Sequence, residues 1–296
     1  VVKEEAIIET TINTRGVALV LEGGGFRGVF TAAVLDVFQE AGLQFPYLIG
    51  VSAGAAYSVS YVAGQYQRNL EVNRFVNDPR YCGFRHWLRK GNFFNWDFIY
   101  HEIPTAIIPF DYQAFARSPS YIKVVVCDIE KGAPDYQELR TDRPEDFRDW
   151  LAATSALPIL SRPVAINGKL YMDGGLVDSI PLQQALADGN ERAIVVLTRP
   201  KGYRKKASRS SWFLRLYYRR YPKLADLMAQ RARVYNQRLE EVERLEQEGK
   251  VFVIRPDAEG LVSRMENDPA RLQVLYADTL RHMKDILPAL QRWLAV

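Results

Sequence analysis

Residues 47–54 confine the fold more than any other stretch of the chain. Tyr47, Leu48 and Ile49 form a short apolar run, Gly50-Val51-Ser52-Ala53-Gly54 follows at once, and small residues come next. Strand, Gly-x-Ser-x-Gly and helix in that order describe an elbow that lifts a serine hydroxyl out of a sheet for acyl chemistry. The flanking glycines have a steric reason, because side chains two positions either side of Ser52 would collide as strand and helix close on each other. Taken alone, the pattern also fits an ordinary strand-to-helix turn with a capping serine.

A second glycine cluster lies upstream. Val17-Ala18-Leu19-Val20-Leu21 reads as a buried strand. It runs through Glu22 into Gly23-Gly24-Gly25-Phe26-Arg27-Gly28. Phe30, Ala33, Val34, Val37, Phe38 and Ala41 then recur at helical steps, and Gly42 is a natural stop. Backbone N–H groups at such a helix head bind negative charge, whether phosphate or oxyanion. A dinucleotide site would want an acidic residue about twenty positions on, at the end of the second strand. That stretch, 42–49, holds no carboxylate, and the strand delivers Ser52 instead. An oxyanion hole is the better fit, with a tight turn as the plain alternative.

The third element is Tyr171-Met172-Asp173-Gly174-Gly175. Pro163–Ile166, an Asn167-Gly168 type I′ turn and Lys169–Tyr171 predict a hairpin that ends at Asp173. Asp-Gly-Gly by itself is most often a turn.

Glycine loop, Gly-x-Ser-x-Gly and Asp-Gly-Gly in that order resemble the patatin-like phospholipase family, over roughly residues 15 to 200. Ala152-Ala153-Thr154-Ser155-Ala156-Leu157-Pro158 looks like the Ala/Ser-rich segment that the family carries before its aspartate. Glu22 departs from the aspartate of many members. The resemblance implies a Ser-Asp dyad, with Ser52 as nucleophile and Asp173 as its base. The amides of Gly24 and Gly25 would form most of the oxyanion hole. Gly23 and Gly28 would shape the loop, and Gly50, Gly54, Gly174 and Gly175 complete the motifs. Arg27 holds the family's basic position, able to balance developing charge or grip a lipid phosphate. No metal or organic cofactor is implied. A triad in the order Ser…Asp…His could draw only on His282, in a predicted C-terminal helix.

The 296-residue chain is 48% hydrophobic, enough for a large core. It lacks a run of eighteen apolar residues, and Val1–Ala6 has no secretory pattern, so a cytoplasmic enzyme is the expectation. Cys82 and Cys127 make no disulfide framework. Predicted strands at 17–21, 47–51, 122–127, 193–198 and 251–254 alternate with helical patterns. They point to an α/β fold, a largely parallel sheet covered by helices on both faces, with helices at the C-terminus. The expected division is a catalytic domain over 15–200 and a basic, aromatic and helical extension over 201–296.

The aromatic stretch from about 75 to 120 reads as irregular, and as core or part of an acyl groove. Between Arg199 and Lys223 there are ten Lys or Arg and no Asp or Glu, with Trp212, Phe213, Tyr217 and Tyr218 among them. That composition suits a solvated loop or a peripheral membrane contact; nucleic acid is not expected as a partner. Residues 224–248, rich in Arg/Glu pairs such as Arg238 with Glu241, predict an exposed helix. Asp268-Pro269 predicts the cap of another, ending near 287 before Pro288. The chemistry expected is hydrolysis of lipid acyl esters. A soluble esterase or thioesterase with the same dyad and a catalytically silent lipid-binding protein are the alternatives.

Overall fold

The computed structural model describes residues 13–142, 144–207, 211–258, 260 and 262–296. Val1–Ala6, Arg209 and the Trp212 side chain lie outside the described residues. Eight strands form one sheet: β1 (Val17–Leu21), β2 (Tyr47–Val51), β3 (Tyr121–Asp128), β4 (Ala133–Glu138), β5 (Val164–Ile166), β6 (Lys169–Asp173), β7 (Arg192–Val196) and β8 (Val251–Ile254). Their order is β5-β6-β3-β2-β1-β7-β8, with β4 also on β3. The run from β3 through β2, β1 and β7 to β8 is parallel, whereas β4 and the β5–β6 hairpin are antiparallel.

The helices are α1 (Val29–Glu40), α2 (Ala53–Val62), α3 (Arg68–Asn73), α4 (Phe84–Lys90), α5 (Tyr112–Arg117), α6 (Pro144–Ser155), α7 (Leu182–Ala187), α8 (Ser211–Tyr217), α9 (Pro222–Gln247) and α10 (Pro269–Leu294). Strand side chains alternate between two cores, as the two-residue repeat of a strand requires. Leu19, Leu48, Val124 and Ile194 pack with α1, α2, α6 and α10. Val20, Ile49, Val125 and Val195 pack with α7 and α9. The result is the expected three-layer α/β arrangement.

Register on β3 explains where the chain turns. Val125 pairs with Val51 of β2 and with Tyr136 of β4, so β2 and β4 take opposite edges. Val126 pairs with Asp135 of β4 and with Asp173 of β6, so β6 continues the edge that β2 has just left. Because β2 runs parallel and β6 antiparallel to β3, the two meet end to end. Each must leave the sheet there, β2 at Ser52 and β6 at Asp173.

Three sequence expectations change. Residues 75–120 are not irregular: they contain α4, α5 and a π-helical segment, Phe98–Ile107. Its wider winding accommodates Pro104, which has no N–H to donate. Helix α9 is not an exposed helix but buries Leu224, Tyr235, Leu239 and Val242 against the sheet. Arg238 does pair with Glu241, at 3.6 Å, while Arg244 pairs with Glu248. Helix α10 continues through Pro288 because Leu290 and Leu294 beyond it are buried, and apolar burial outweighs the local loss. Asp268 caps it as predicted, accepting from the Ala270 N–H at 2.9 Å.

Candidate functional site

Ser52 has φ 53° and ψ −123°, a backbone state rare for a residue with a side chain. Two neighbours hold it there. Its N–H donates to Thr154 Oγ1 at 2.8 Å, and the Thr154 hydroxyl donates to the Val125 carbonyl at 2.7 Å. One residue of the α6 C-terminal end thus fastens the turn to β3. The close passage of chain explains Gly54, where an added Cβ would lie 2.6 Å from the Leu21 carbonyl oxygen. Gly50 backs onto Ala55 in the same fold-back.

Asp173 is buried, and its own N–H donates to the Ala156 carbonyl at 2.9 Å. The Ala152–Leu157 segment therefore holds both strand ends, the serine through Thr154 and the aspartate through Ala156. Asp173 Oδ1 accepts from the Gly175 N–H at 2.7 Å. Among the described residues Oδ2 is buried without a hydrogen-bond partner, and it faces the Arg264 guanidinium at 3.8 Å. Gly174 crosses β3 so closely that a Cβ would lie 2.2 Å from the Val125 carbonyl oxygen.

The glycine loop lies against the serine, since a Cβ on Gly23 would come within 3.1 Å of Ser52 Cβ. Gly25 has φ 58° and passes Arg264, whose carbonyl accepts from the Phe26 N–H at 3.2 Å. Gly24 packs against Thr198, and Gly28 against Ala53 and Tyr57. Glu22 is buried beneath the loop. Its Oε2 accepts from the Thr198 N–H at 2.6 Å and hydroxyl at 3.1 Å, and its Oε1 from the Tyr235 hydroxyl at 2.8 Å. The glutamate that departs from the common pattern thus ties β1 to β7 and α9.

Two cavities open from this point, and Ser52 is the residue common to their walls. One is apolar, bordered by Gly25, Phe94, Trp96, Ile99, Tyr100 and Leu157 among others. The aromatic stretch supplies much of this wall. The other, of about 240 Å³, is polar. It is bordered by Gly23, Asp173 and Glu22, and by five cations: Arg27, Arg199, Lys205, Arg231 and Arg264. Burial, with Arg199 nearby, pushes the Arg27 guanidinium down to about 10. Burial, reinforced by Arg264, does the same to Arg231. Burial and the charge of Arg231 push Lys205 down to about 7.

None of the three histidines borders either cavity. His282 Nε2 meets the Arg255 carbonyl and Nδ1 meets Asp257, each at 3.0 Å, so the one histidine open to a triad is engaged elsewhere. Burial pushes the Cys127 thiol up to about 12, as suits a core residue. Among the described residues, no group of three or more His, Cys, Asp or Glu could hold a metal ion.

Sequence reading missed Thr154 as a fastener, and Arg199, Lys205, Arg231 and Arg264 as neighbours of Ser52. Arg231 carried a signal. It stands one turn before Tyr235 and two before Leu239 on the stripe that α9 buries, where a solvated arginine would not be placed.

A sequence model described as patatin-like phospholipase matches residues 19–186, more than half of the chain. The chain belongs to that family. A second model, a domain of unknown function (DUF6363), matches residues 221–295. Among curated proteins, the chain is 31% identical over 191 residues to YjjU of Escherichia coli (strain K12). That match takes in 62% of this chain and 52% of the relative. It is 23% identical over 190 residues to the "Probable lipid hydrolase 463L" of Invertebrate iridescent virus 6, across 59% of this chain and 64% of that one. It is 25% identical over 186 residues to "Lysophospholipase NTE1" of Candida glabrata, across 60% of this chain and 10% of the relative. The chain thus spans between a tenth and two thirds of the length of these relatives.

Thr154→Val removes the acceptor for the Ser52 N–H while keeping the branched side-chain shape. We expect it to cost about 1–3 kcal/mol in urea unfolding, the range for stranding a buried donor. It should lower kcat more than it raises KM, with Thr154→Ser restoring both. A kcat that tracks stability alone would limit Thr154 to a structural part.

Proposed function

We propose that the chain is a serine acyl hydrolase of lipid esters, with Ser52 as nucleophile and Asp173 as its base. The observation that carries this reading is the meeting of β2 and β6 at a point where an apolar and a polar cavity share Ser52. An amphiphile suits such a junction, its acyl chain on the apolar side and its polar part on the other. That favours a lipid over a small soluble ester. The names of the viral and fungal relatives point the same way.

The proposed reaction runs in two halves. Ser52 Oγ attacks the ester carbonyl carbon as its proton passes to Asp173 Oδ2, the carboxylate oxygen left without a hydrogen-bond partner. N–H groups of the Gly23–Gly25 loop and of Ala53 stabilise the oxyanion. The C–O bond breaks and the alcohol leaves with the proton. Water then attacks the acyl-serine by the reverse proton path, and Ser52 and the free acid are regenerated.

Peripheral attachment to an anionic bilayer is the second part of the reading. Phe84 and Leu88 on α4 are 70% and 77% exposed, and Phe213, Leu216 and Tyr217 on α8 are also exposed. Helix α4 and the residue just past α8 both reach exposed Ile159: the Trp87 indole N–H donates to its carbonyl at 2.7 Å and its N–H donates to the Tyr218 hydroxyl at 2.6 Å. Arg85, Arg89, Lys90, Arg215, Arg219 and Arg220 are exposed around them, and neither helix carries an acidic residue. Apolar and aromatic side chains ringed by cations suit an anionic lipid surface. The patch also adjoins the apolar cavity, because Phe93 meets both Phe84 and the wall residue Phe94 edge to face.

Ser52→Ala and Asp173→Asn should each reduce kcat on a short soluble ester by about a thousandfold or more, with circular dichroism unchanged. His282→Ala should stay within about threefold of wild type, and a loss as large as that of Asp173→Asn would replace the dyad by a triad. For the surface patch, Phe84→Ser with Leu88→Ser should weaken sedimentation with anionic vesicles by about tenfold or more. Hydrolysis of the short ester should persist. Undiminished vesicle binding would remove α4 from the interface.

A further inference from the structure

Among the described residues, the wall of the polar cavity beside Ser52 carries more basic than acidic side chains. Glu22 is already committed to Thr198 and Tyr235, and Asp173 to the Gly175 N–H on one oxygen and to Arg264, at 3.8 Å, on the other. Facing them are Arg27, Arg199, Lys205, Arg231 and Arg264. The Arg27 and Arg264 Nε atoms are buried without hydrogen-bond partners among the described residues. Arg231 Nε donates to the Gly175 carbonyl at 2.9 Å, which fixes its guanidinium at the aspartate turn. Gathering like charges away from water is unfavourable unless an anion joins them. Arg199, Lys205, Arg231 and Arg264 all lie beyond residue 186, where the match to the family ends.

The aromatic rings of this cavity are occupied too. The Arg199 guanidinium lies over Tyr203 with 4.4 Å to the centroid, and Lys205 Nζ over Tyr235 at 4.1 Å. A choline or ethanolamine ammonium seeks an aromatic face or an uncommitted carboxylate. Here it would meet rings already covered by the Arg199 and Lys205 side chains.

We propose that this cavity receives the phosphate of an anionic phospholipid headgroup, one with no ammonium of its own, while the acyl chain occupies the apolar cavity. The residues from Arg199 to Arg264 would then set substrate class. This assignment rests on the reading of Ser52 as the attacking group and adds the headgroup to it. The groups facing Lys205 are Arg231 and Tyr235 on α9, Arg264 before α10, Glu22 after β1 and Asp173 at the end of β6. An added dianion would let Lys205 take up a proton near pH 8, where burial otherwise leaves it largely neutral.

The test compares two lysophospholipids of one acyl chain in mixed micelles, one with a phosphomonoester head and one with phosphocholine. Wild-type kcat/KM should favour the phosphomonoester by about tenfold or more, and Lys205→Met with Arg231→Met should bring the ratio to within about threefold of unity. Binding of inorganic phosphate at pH 8, followed by calorimetry in buffers of different ionisation enthalpy, should show proton uptake that Lys205→Met removes. Ser52-dependent turnover of both lipids at equal kcat/KM overturns the headgroup assignment alone. Absence of any Ser52-dependent turnover overturns the hydrolase reading beneath it. If inorganic phosphate raises KM for both lipids equally and no headgroup preference exists, the site belongs to free phosphate and the proposal fails.

Discussion

The structure depends on a collision. Strands β2 and β6 approach each other along one edge of β3, and each runs out of room between Val125 and Val126. Neither can continue, so each is forced out of the sheet where it carries its polar residue. The strained φ of Ser52 and the buried carboxylate of Asp173 are consequences of that geometry. The end of α6 secures it through two hydrogen bonds, Ser52 N–H to Thr154 and Asp173 N–H to the Ala156 carbonyl. A segment 100 residues from the serine in sequence therefore decides whether the serine is held. Glu22 performs the matching task across β1, β7 and α9.

The C-terminal portion is woven into the same object. Strand β8 extends the sheet from β7, and α9 and α10 lie on opposite faces of it. Tyr235 on α9 reaches Glu22, and the loop before α10 brings Arg264 to Gly25 and Asp173. Electrostatics follow from this weave. The β1 loop contributes Arg27, and the remaining cations of the polar cavity come from after β7. Two opposite environments consequently meet at one hydroxyl.

Much of this was legible in the sequence, and the reason is local chemistry. Short apolar runs marked the parallel strands. Asn167-Gly168 marked the hairpin, whose turn has φ 51° and 76° as a type I′ turn requires. The glycines marked places where backbones cross. What escaped depends on contacts that no local pattern encodes. Pro288 looked like a helix end because the burial of Leu290 and Leu294 is tertiary. The Arg/Glu-rich stretch of α9 looked solvated because its charged face is conspicuous and its buried stripe is sparse. Arg199 and Lys205 looked like part of a surface run, yet they turn inward, since the rings of Tyr203 and Tyr235 receive them there. Thr154 sat in a quoted segment, but the donor it accepts from lies 102 residues away.

The proposed attack by Ser52 takes place at the boundary of two unlike cavities. The most direct measurement is a crystal structure of the protein after reaction with a long-chain alkyl fluorophosphonate. That structure should show phosphorus bonded to Ser52 Oγ, a phosphoryl oxygen directed at the Gly24 and Gly25 amides, and the alkyl chain lying among Phe94, Trp96 and Tyr100. Phosphorus on another residue, or the alkyl chain lying between Arg231 and Arg264, would contradict the proposed attack.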